Sequence, residues 1–489
     1  MDEISLKTTE LWPYNSKQII EQKNVNPDKL KLKFTYIYFP WDKLYDLERN
    51  YYSLTIQQRP LFIVQPINTH EIEQILDYCD EKNLKLRICN GRHSTQLLTP
   101  DVLIDMSRMD KIRLEQGNIL YIEGGARQGQ VNEFLFRQCK LNHYPHLGHF
   151  TYGKIKKGLS TGTAESVGVS GLISSCGIGA LRRTLGLTID VVEGYRITIP
   201  PTCSSKAKTI YVDSNSYPDL FWALSGGGAA NFGIVSEIKL KTSDAGKVIE
   251  YSISWDWKDA GEIIDLWSRT APSRPKEFTE EMDISKTSNE LGINLQGIYL
   301  IPKCQTDEEA VNTVKENIKY LGGEQDVPMP SKYSSIYLNL VQERQYYNFS
   351  IVQTSFVNKI NSQDIVNLMN LSLSLNEDVV IELELMGGII SENSKGSFGF
   401  RDCNFFVPIS SRWNRLEDSE SQKNWIELAL STFVKEGIKG SYVGFPIPFD
   451  KLNTSLGNEI YYGKSYPELV KIKNHYDPKG LLTYSGTIN

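Results

Sequence analysis

Between residues 84 and 98 an apolar, strand-like run (Leu84, Leu86, Ile88) stops at Asn90-Gly91 and is followed at once by Arg92, His93 and Ser94. Asn-Gly tolerates positive φ, so such a turn lets the backbone press against a bound molecule and leaves one imidazole pointing at it. By itself, a histidine after a turn is more often a surface residue. The constraint comes from the setting. Residues 61–64 read as a buried strand, 71–81 as a helix with Ile72, Ile75 and Leu76 on one face, and 102–106 and 119–122 as further strands. A helix over 128–139 follows. This short β–α–β alternation predicts a mixed α/β domain with the histidine turn at the end of one strand.

A chain of 489 residues has room for roughly two or three domains. Its formal net charge of −6 lacks the basic footprint of a nucleic-acid binder. No apolar run reaches the roughly 20 residues that a membrane-spanning helix needs. The first residues, Met1 to Lys7, carry neither a basic n-region nor an apolar h-region, so an intracellular, soluble protein is expected. The cysteines stand singly at 79, 89, 139, 176, 203, 304 and 403, without a CxxC pair, which fits reduced thiols.

Residues 1–55 show no clear periodicity and read as an irregular arm packed on the main body, which starts at 56. The stretch 158–190 is too rich in Gly, Ser and Thr to be regular strand or helix throughout. A short helix over 219–224 breaks at Gly226–Gly228 before a strand at 234–240. Composition changes near 242–246, which sets a boundary at 243/244. Beyond it Ile249, Tyr251, Ile253, Trp255 and Trp257 alternate along a half-buried strand. Helices at 261–271, 307–321, 363–375 and 421–436, with strands at 291–300 and 379–385, predict an antiparallel sheet covered by helices on one face over 244–440. A last segment spans 441–489.

Two glycine-rich runs could cradle a pyrophosphate. Gly158–Gly171 and Asp219–Gly233 both offer many unobstructed backbone N–H groups, although either could be an ordinary flexible loop. Neither has the dinucleotide fingerprint in its usual strand–helix setting, and 177–182 fails at its last position. His143, His146 and His149 are closely spaced, but Pro145 and Gly148 exclude a regular helix and no carboxylate or cysteine completes a metal site. They read as a loop near a ligand entrance, and no metal is expected. Glu382 and Glu384 share one side of a strand, opposite Ile381, Leu383 and Leu385. That side is either a solvent-facing surface or the roof of a ligand cavity in which a carboxylate accepts a proton. Trp255, Trp257, Tyr299, Tyr337 and Tyr347 could be stacking walls or core.

In this order the pieces resemble the vanillyl-alcohol-oxidase type of FAD-linked oxidases, in its berberine-bridge-enzyme-like branch, over about 56–489. The family's glycine turn and His-Ser resemble Asn90-Gly-Arg-His-Ser94, and its following strand resembles Val102-Leu-Ile-Asp-Met-Ser107. Its pyrophosphate segment resembles 163–186, and its Leu-Phe-Trp-Ala-Leu signature with Gly-Gly-Gly and Asn-Phe-Gly-Ile-Val is nearly intact at 220–235. Its C-terminal ending resembles Tyr461-Tyr-Gly through Tyr476-Asp-Pro478.

The resemblance implies an α+β protein: a two-part FAD-binding domain of the PCMH type, made from both chain ends, with the substrate domain inserted between them. It implies FAD bonded to His93 through the 8α-methyl, with Asn90, Gly91, Arg92, Ser94, Thr163, Ala164, Val167, Gly168, Gly171, Ser174, Ile234, Val235, Tyr461 and Tyr462 around the cofactor. Departures matter. Ala164 stands where many relatives have a second, cysteinyl link, so one covalent bond is expected. Arg92 stands where the family usually has glycine. Val167 resembles the residue that admits oxygen. Glu384 matches the carboxylate that takes the substrate proton, whereas the family's Asn-Tyr pair is Gly444-Phe445 here.

The implied activity is oxidation of a carbohydrate or other alcohol by hydride transfer to flavin N5, with O2 as acceptor and H2O2 as product. A dehydrogenase or oxidative cyclase of an aromatic substrate, or a flavin-holding protein without turnover, are the alternatives, the last kept open by Phe445. Neither a nucleic acid nor a membrane is an expected partner, and oligomeric state is not legible.

Overall fold

The computed structural model describes residues 15–94, 99–115, 118–140, 157–162, 164–228, 230–244, 246–332, 349–447, 456–482 and 488. The α+β expectation is met: antiparallel pairing dominates two of the three principal sheets among the described residues, and helices cover them. In the first, Phe62–Val64, Val102–Asp105 and Leu86–Cys89 run parallel, and Ile37–Tyr38 joins the edge antiparallel. Helix Thr69–Glu81 buries Ile72, Ile75, Leu76 and Cys79, and Asn68 caps its first turn through the Glu71 N–H at 2.9 Å. The second sheet, wholly antiparallel, has the order Ile112–Glu115, Ile119–Glu123, Ile234–Lys241, Val192–Ile199, Lys208–Val212.

The third sheet has eight strands, with Lys247–Trp255, Glu290–Leu300, Phe278–Thr287, Asp378–Leu385, Phe405–Trp413 and Phe349–Val357 adjacent in that order. Its two faces differ in chemistry because side chains alternate along each strand. One face carries Ile253, Met282, Ile284, Leu295, Ile381 and Leu383 and is buried under helices Ala260–Thr270, Asp307–Ile318, Ser362–Ser372 and Ser419–Lys435. The opposite face carries Glu281, Asp283, Glu382 and Glu384, with Glu281 paired to Glu384 and Asp283 to Glu382 in register.

The two ends of the chain meet. Leu86 bridges Leu482 in parallel, and the Ile488 N–H donates to Asn231 Oδ1 at 3.2 Å. Buried Lys473 donates to Asn231 O, Leu482 O and Asp477, so its charge is fully satisfied.

Several expectations are corrected. The arm is not irregular: Asn26 caps a helix at Pro27–Lys33, and Ile37–Tyr38 is a sheet strand. Trp257 leaves the strand and opens a 3₁₀ turn at Trp257–Asp259. Tyr299 is core and Trp255 packs against the same core, while Tyr337 and Tyr347 lie outside the described residues. So do His143, His146 and His149. The cysteines described, 79, 89, 176, 203, 304 and 403, are free thiols. No described helix is long and apolar enough to cross a membrane.

Candidate active site

The strand Leu86–Cys89 ends at Asn90, which is buried and donates from Nδ2 to Gly124 O at 3.2 Å and Ala126 O at 2.8 Å. Its Oδ1 has no protein partner among the described residues. Gly91 then packs edge-on against the second loop: a Cβ there would lie 2.3 Å from Gly168 N and 2.3 Å from Ser166 O. A Cβ on Gly168 would in turn lie 2.8 Å from the Asn90 side chain. The two loops therefore interlock through absent side chains.

Arg92 has φ +59, the left-handed conformation that the glycine of the resembling motif would adopt without strain. Its guanidinium reaches the buried Asp105 carboxylate at 2.6 Å and Asn50 O at 3.0 Å, which holds the strained backbone in place. Asp105 also accepts from Gln65 Nε2 at 2.8 Å and the Ser107 hydroxyl at 3.1 Å. Burial pushes the neighbouring Cys89 thiol up to about 12, so it stays protonated at neutral pH.

His93 follows. Its Nε2 is 2.6 Å from Ser166 Oγ, and its ring stacks on Tyr52 with centroids 4.1 Å apart and planes 23° from parallel.

These residues open onto one cleft of about 1280 Å³, including the space at its mouth. The second wall comes from Val167–Ser175. There Ser170 Oγ donates to Gly124 O at 2.7 Å, and Ser174 O accepts from Gly226 N and Gly228 N, tying in the second glycine-rich run. Gly171 is different from Gly91: a Cβ there would meet no protein atom within 4 Å, so it borders open space. Ala230, Gly233, Ile234 and Val235 form the third wall, and Tyr442 to Phe445 the fourth.

Of the residues expected around the cofactor, Asn90, Gly91, Arg92, His93, Ser94, Val167, Gly168, Gly171, Ser174, Ile234 and Val235 line this cleft. Three described ones do not. Ala164 is exposed at the head of the turn, where its carbonyl accepts from Val167 N at 3.4 Å. Tyr461 is buried and its phenol oxygen accepts from Ile447 N at 2.8 Å. The Tyr462 oxygen accepts from Asn231 Nδ2 at 3.2 Å, and its ring stacks on Tyr466. Both tyrosines clamp the C-terminal segment instead of facing the cleft. Thr163 lies outside the described residues.

Sequence reasoning missed Tyr52, Ser166 and Tyr442. Ser166 falls within the quoted glycine-rich run and could have been singled out as its polar side chain next to Val167. Tyr52 has no local pattern to announce it. Tyr442 depends on Gly444, where a Cβ would lie 2.4 Å from the tyrosine ring.

Glu384 lies on the polar face of the eight-stranded sheet, with its side chain 14% exposed. It stands opposite Phe406 in the sheet register, and the Phe406 ring is 5.9 Å from that of Tyr442 in the cleft wall. The buried Arg182 guanidinium approaches its carboxylate at 3.0 Å while also donating to Leu385 O, Gly179 O and Glu280 O. Burial pushes Glu384 up to about 8; Arg182 pulls against that shift, and Glu281 and Asp283 add to it. Burial and the surrounding carboxylates likewise raise Glu382 well above its usual range. This polar face is therefore not an open solvent surface: it meets Arg182 of the glycine-rich half, and burial raises Glu281, Glu382 and Glu384 above the usual carboxylate range.

The cleft fits an elongated dinucleotide cofactor. It has a glycine cradle where a side chain would intrude, and in Asn90 Oδ1 a buried acceptor with no protein donor among the described residues.

Comparison with known proteins gives the same answer. Residues 60–201 match the FAD binding domain family, and 451–489 match the family described as berberine and berberine like. The chain is 27% identical over 456 residues to an uncharacterized FAD-linked oxidoreductase, YgaK, of Bacillus subtilis (strain 168), covering 91% of this chain and 95% of that relative. Among solved structures it resembles a chitooligosaccharide oxidase, with TM-score 0.77 and 19% identity over 97% of this chain and 99% of that one. A glucooligosaccharide oxidase from Acremonium strictum, with a 6-S-cysteinyl, 8α-N1-histidyl FAD, aligns at TM-score 0.75 and 18% identity over 93% of this chain and 97% of that one. These two structural likenesses are likenesses of fold.

Proposed function

We propose that this chain, which belongs to the berberine-bridge-enzyme-like family of FAD-linked oxidoreductases, holds FAD covalently through His93 and oxidises an alcohol, most simply a carbohydrate hydroxyl. The observation that carries the reading is the convergence of His93, the Val167–Ser175 wall and the 230–235 segment on one glycine-lined cleft; Glu384 is not among the residues lining it and connects to its wall through Phe406, whose ring is 5.9 Å from that of Tyr442. In this reading residues 56–243 and 441–489 form the cofactor domain and 244–440 the substrate domain, and the Leu86–Leu482 bridge supports uniting the two ends.

Bound FAD would supply the two-electron chemistry, taking hydride at N5 and passing the electrons to O2 as H2O2. The chain's residues do the rest. Glu384 accepts the hydroxyl proton of the substrate, and its raised pKa suits a general base near neutral pH. Arg182 holds that carboxylate in place. Ala164 offers no sulfur, so His93 is the single attachment. Val167, which lines the cleft, is the residue that would admit oxygen. The carbohydrate class is supported by the two oligosaccharide oxidases that share the fold.

The test is a panel of mono- and oligosaccharides and phenolic alcohols added anaerobically to the purified yellow protein. At least one sugar should bleach the flavin, and air should restore the colour with one peroxide per turnover. No bleaching by any member would favour a flavin-holding protein. Bleaching with slow recovery in air would favour a dehydrogenase.

A further inference from the structure

We infer that Tyr52, on the N-terminal arm, is a positioning residue for attachment of the flavin to His93. The inference rests on the covalent reading above. Five contacts among the described residues join the arm to the histidine turn and the sheet behind it. The Tyr52 ring stacks on His93 at 4.1 Å, and Tyr52 N donates to Arg92 O at 3.3 Å. Arg92 Nη1 donates back to Asn50 O at 3.0 Å. Ser53 Oγ donates to Ser350 O at 2.9 Å and accepts from Ser350 N at 2.7 Å, which anchors the arm on the edge strand Phe349–Val357.

Tyr52 itself is 43% exposed, so its ring is not there to fill a core. It covers one face of the imidazole, while Ser166 Oγ holds Nε2 at 2.6 Å. Together they restrict rotation of the ring about its side-chain bonds, the freedom that a nucleophile must give up before reacting. Attachment breaks one C–H bond of the 8α-methyl and the imidazole N–H and forms one C–N bond. The two hydrogens leave with their two electrons to dioxygen, as hydrogen peroxide. An aromatic stack is worth about two- to tenfold in favour of the stacked orientation.

The experiment compares full-length wild type, Tyr52→Phe, Tyr52→Leu and Tyr52→Ala, each prepared without flavin from riboflavin-limited cells and then given FAD in air. Protein-bound flavin fluorescence after acid precipitation gives the attachment rate, and equilibrium binding of FAD by quenching gives a second readout. Tyr52→Ala and Tyr52→Leu should attach flavin about two- to tenfold more slowly with unchanged FAD affinity, and Tyr52→Phe should match wild type. Equal attachment rates in all four would overturn the proposal while leaving the covalent reading intact. So would a loss in Tyr52→Ala that merely tracks weaker FAD binding. A wild type that releases all its flavin to acid would overturn both.

Discussion

The Arg182 guanidinium and the Glu384 carboxylate face each other at 3.0 Å across the junction between the glycine-rich half of the chain and the eight-stranded sheet. The pair is not a simple stabilising ion pair. Burial and the neighbours Glu281 and Asp283 push Glu384 up to about 8 despite Arg182. At neutral pH the carboxyl is thus largely protonated.

Substrate oxidation should therefore rise about tenfold per pH unit below about 8 and level off above it. The stability linkage has the opposite sense. A carboxyl whose folded pKa is raised favours the fold when protonated, so its contribution is whole below the unfolded value near 4.5 and is lost as pH rises through about 8. Glu384→Gln should slow anaerobic flavin reduction by about 10²–10⁴-fold. It should also melt higher relative to wild type at alkaline than at acid pH. Stopped-flow reduction and melting across pH check both.

Replacing Arg182 acts on the same carboxyl from the other side. Arg182→Met should move the rise in activity to higher pH, because the guanidinium that pulls Glu384 down is gone. It should also cost about 1–3 kcal/mol, since the buried Leu385, Gly179 and Glu280 carbonyls lose their donor. Denaturant titration together with a pH profile separates the two effects.

Gly91 and Gly171 both border the cleft but should respond in opposite ways. Gly91→Ala forces a methyl against the Gly168 and Ser166 backbone, for about 1–3 kcal/mol of destabilisation in the flavin-free protein. Gly171→Ala meets no protein atom and lies in the helix Val169–Ser175, so it should leave the flavin-free melting temperature unchanged or raised. Its methyl enters the cradle, and FAD binding should weaken. Calorimetry of flavin-free protein and FAD titration distinguish the pair.

At Arg92 the backbone and the side chain make separate contributions. Arg92→Ala loses the Asp105 contact and keeps the left-handed strain, whereas Arg92→Gly loses the contact and relieves the strain. Arg92→Gly should therefore be the more stable of the two by about 1 kcal/mol, read from urea midpoints.

What was legible in the sequence follows from how each segment is buried. The alternation of Glu382 and Glu384 with Ile381, Leu383 and Leu385 was readable because one face is apolar and the other is not. Its sheet neighbour Phe278–Thr287 was missed because charge is buried on its apolar side. There Glu280 is satisfied by Arg274, Trp267 and Tyr251, and Lys286 by the Leu375 and Glu377 carbonyls. Phe405–Trp413 is buried on both faces and contains Pro408, so period two disappears. The histidine turn and its glycine-rich partner were legible because close approach demands glycine. Tyr52, Arg182 and Tyr442 were not, because each reaches its partner only through long-range folding.

The most direct test of the account is the intact mass of denatured wild type beside His93→Ala. Wild type should carry the mass of one FAD through acid and denaturant, and His93→Ala should have the mass of the bare chain. Wild type recovered with flavin bound but stripped to the bare mass by acid would contradict the account, as would His93→Ala retaining the added mass.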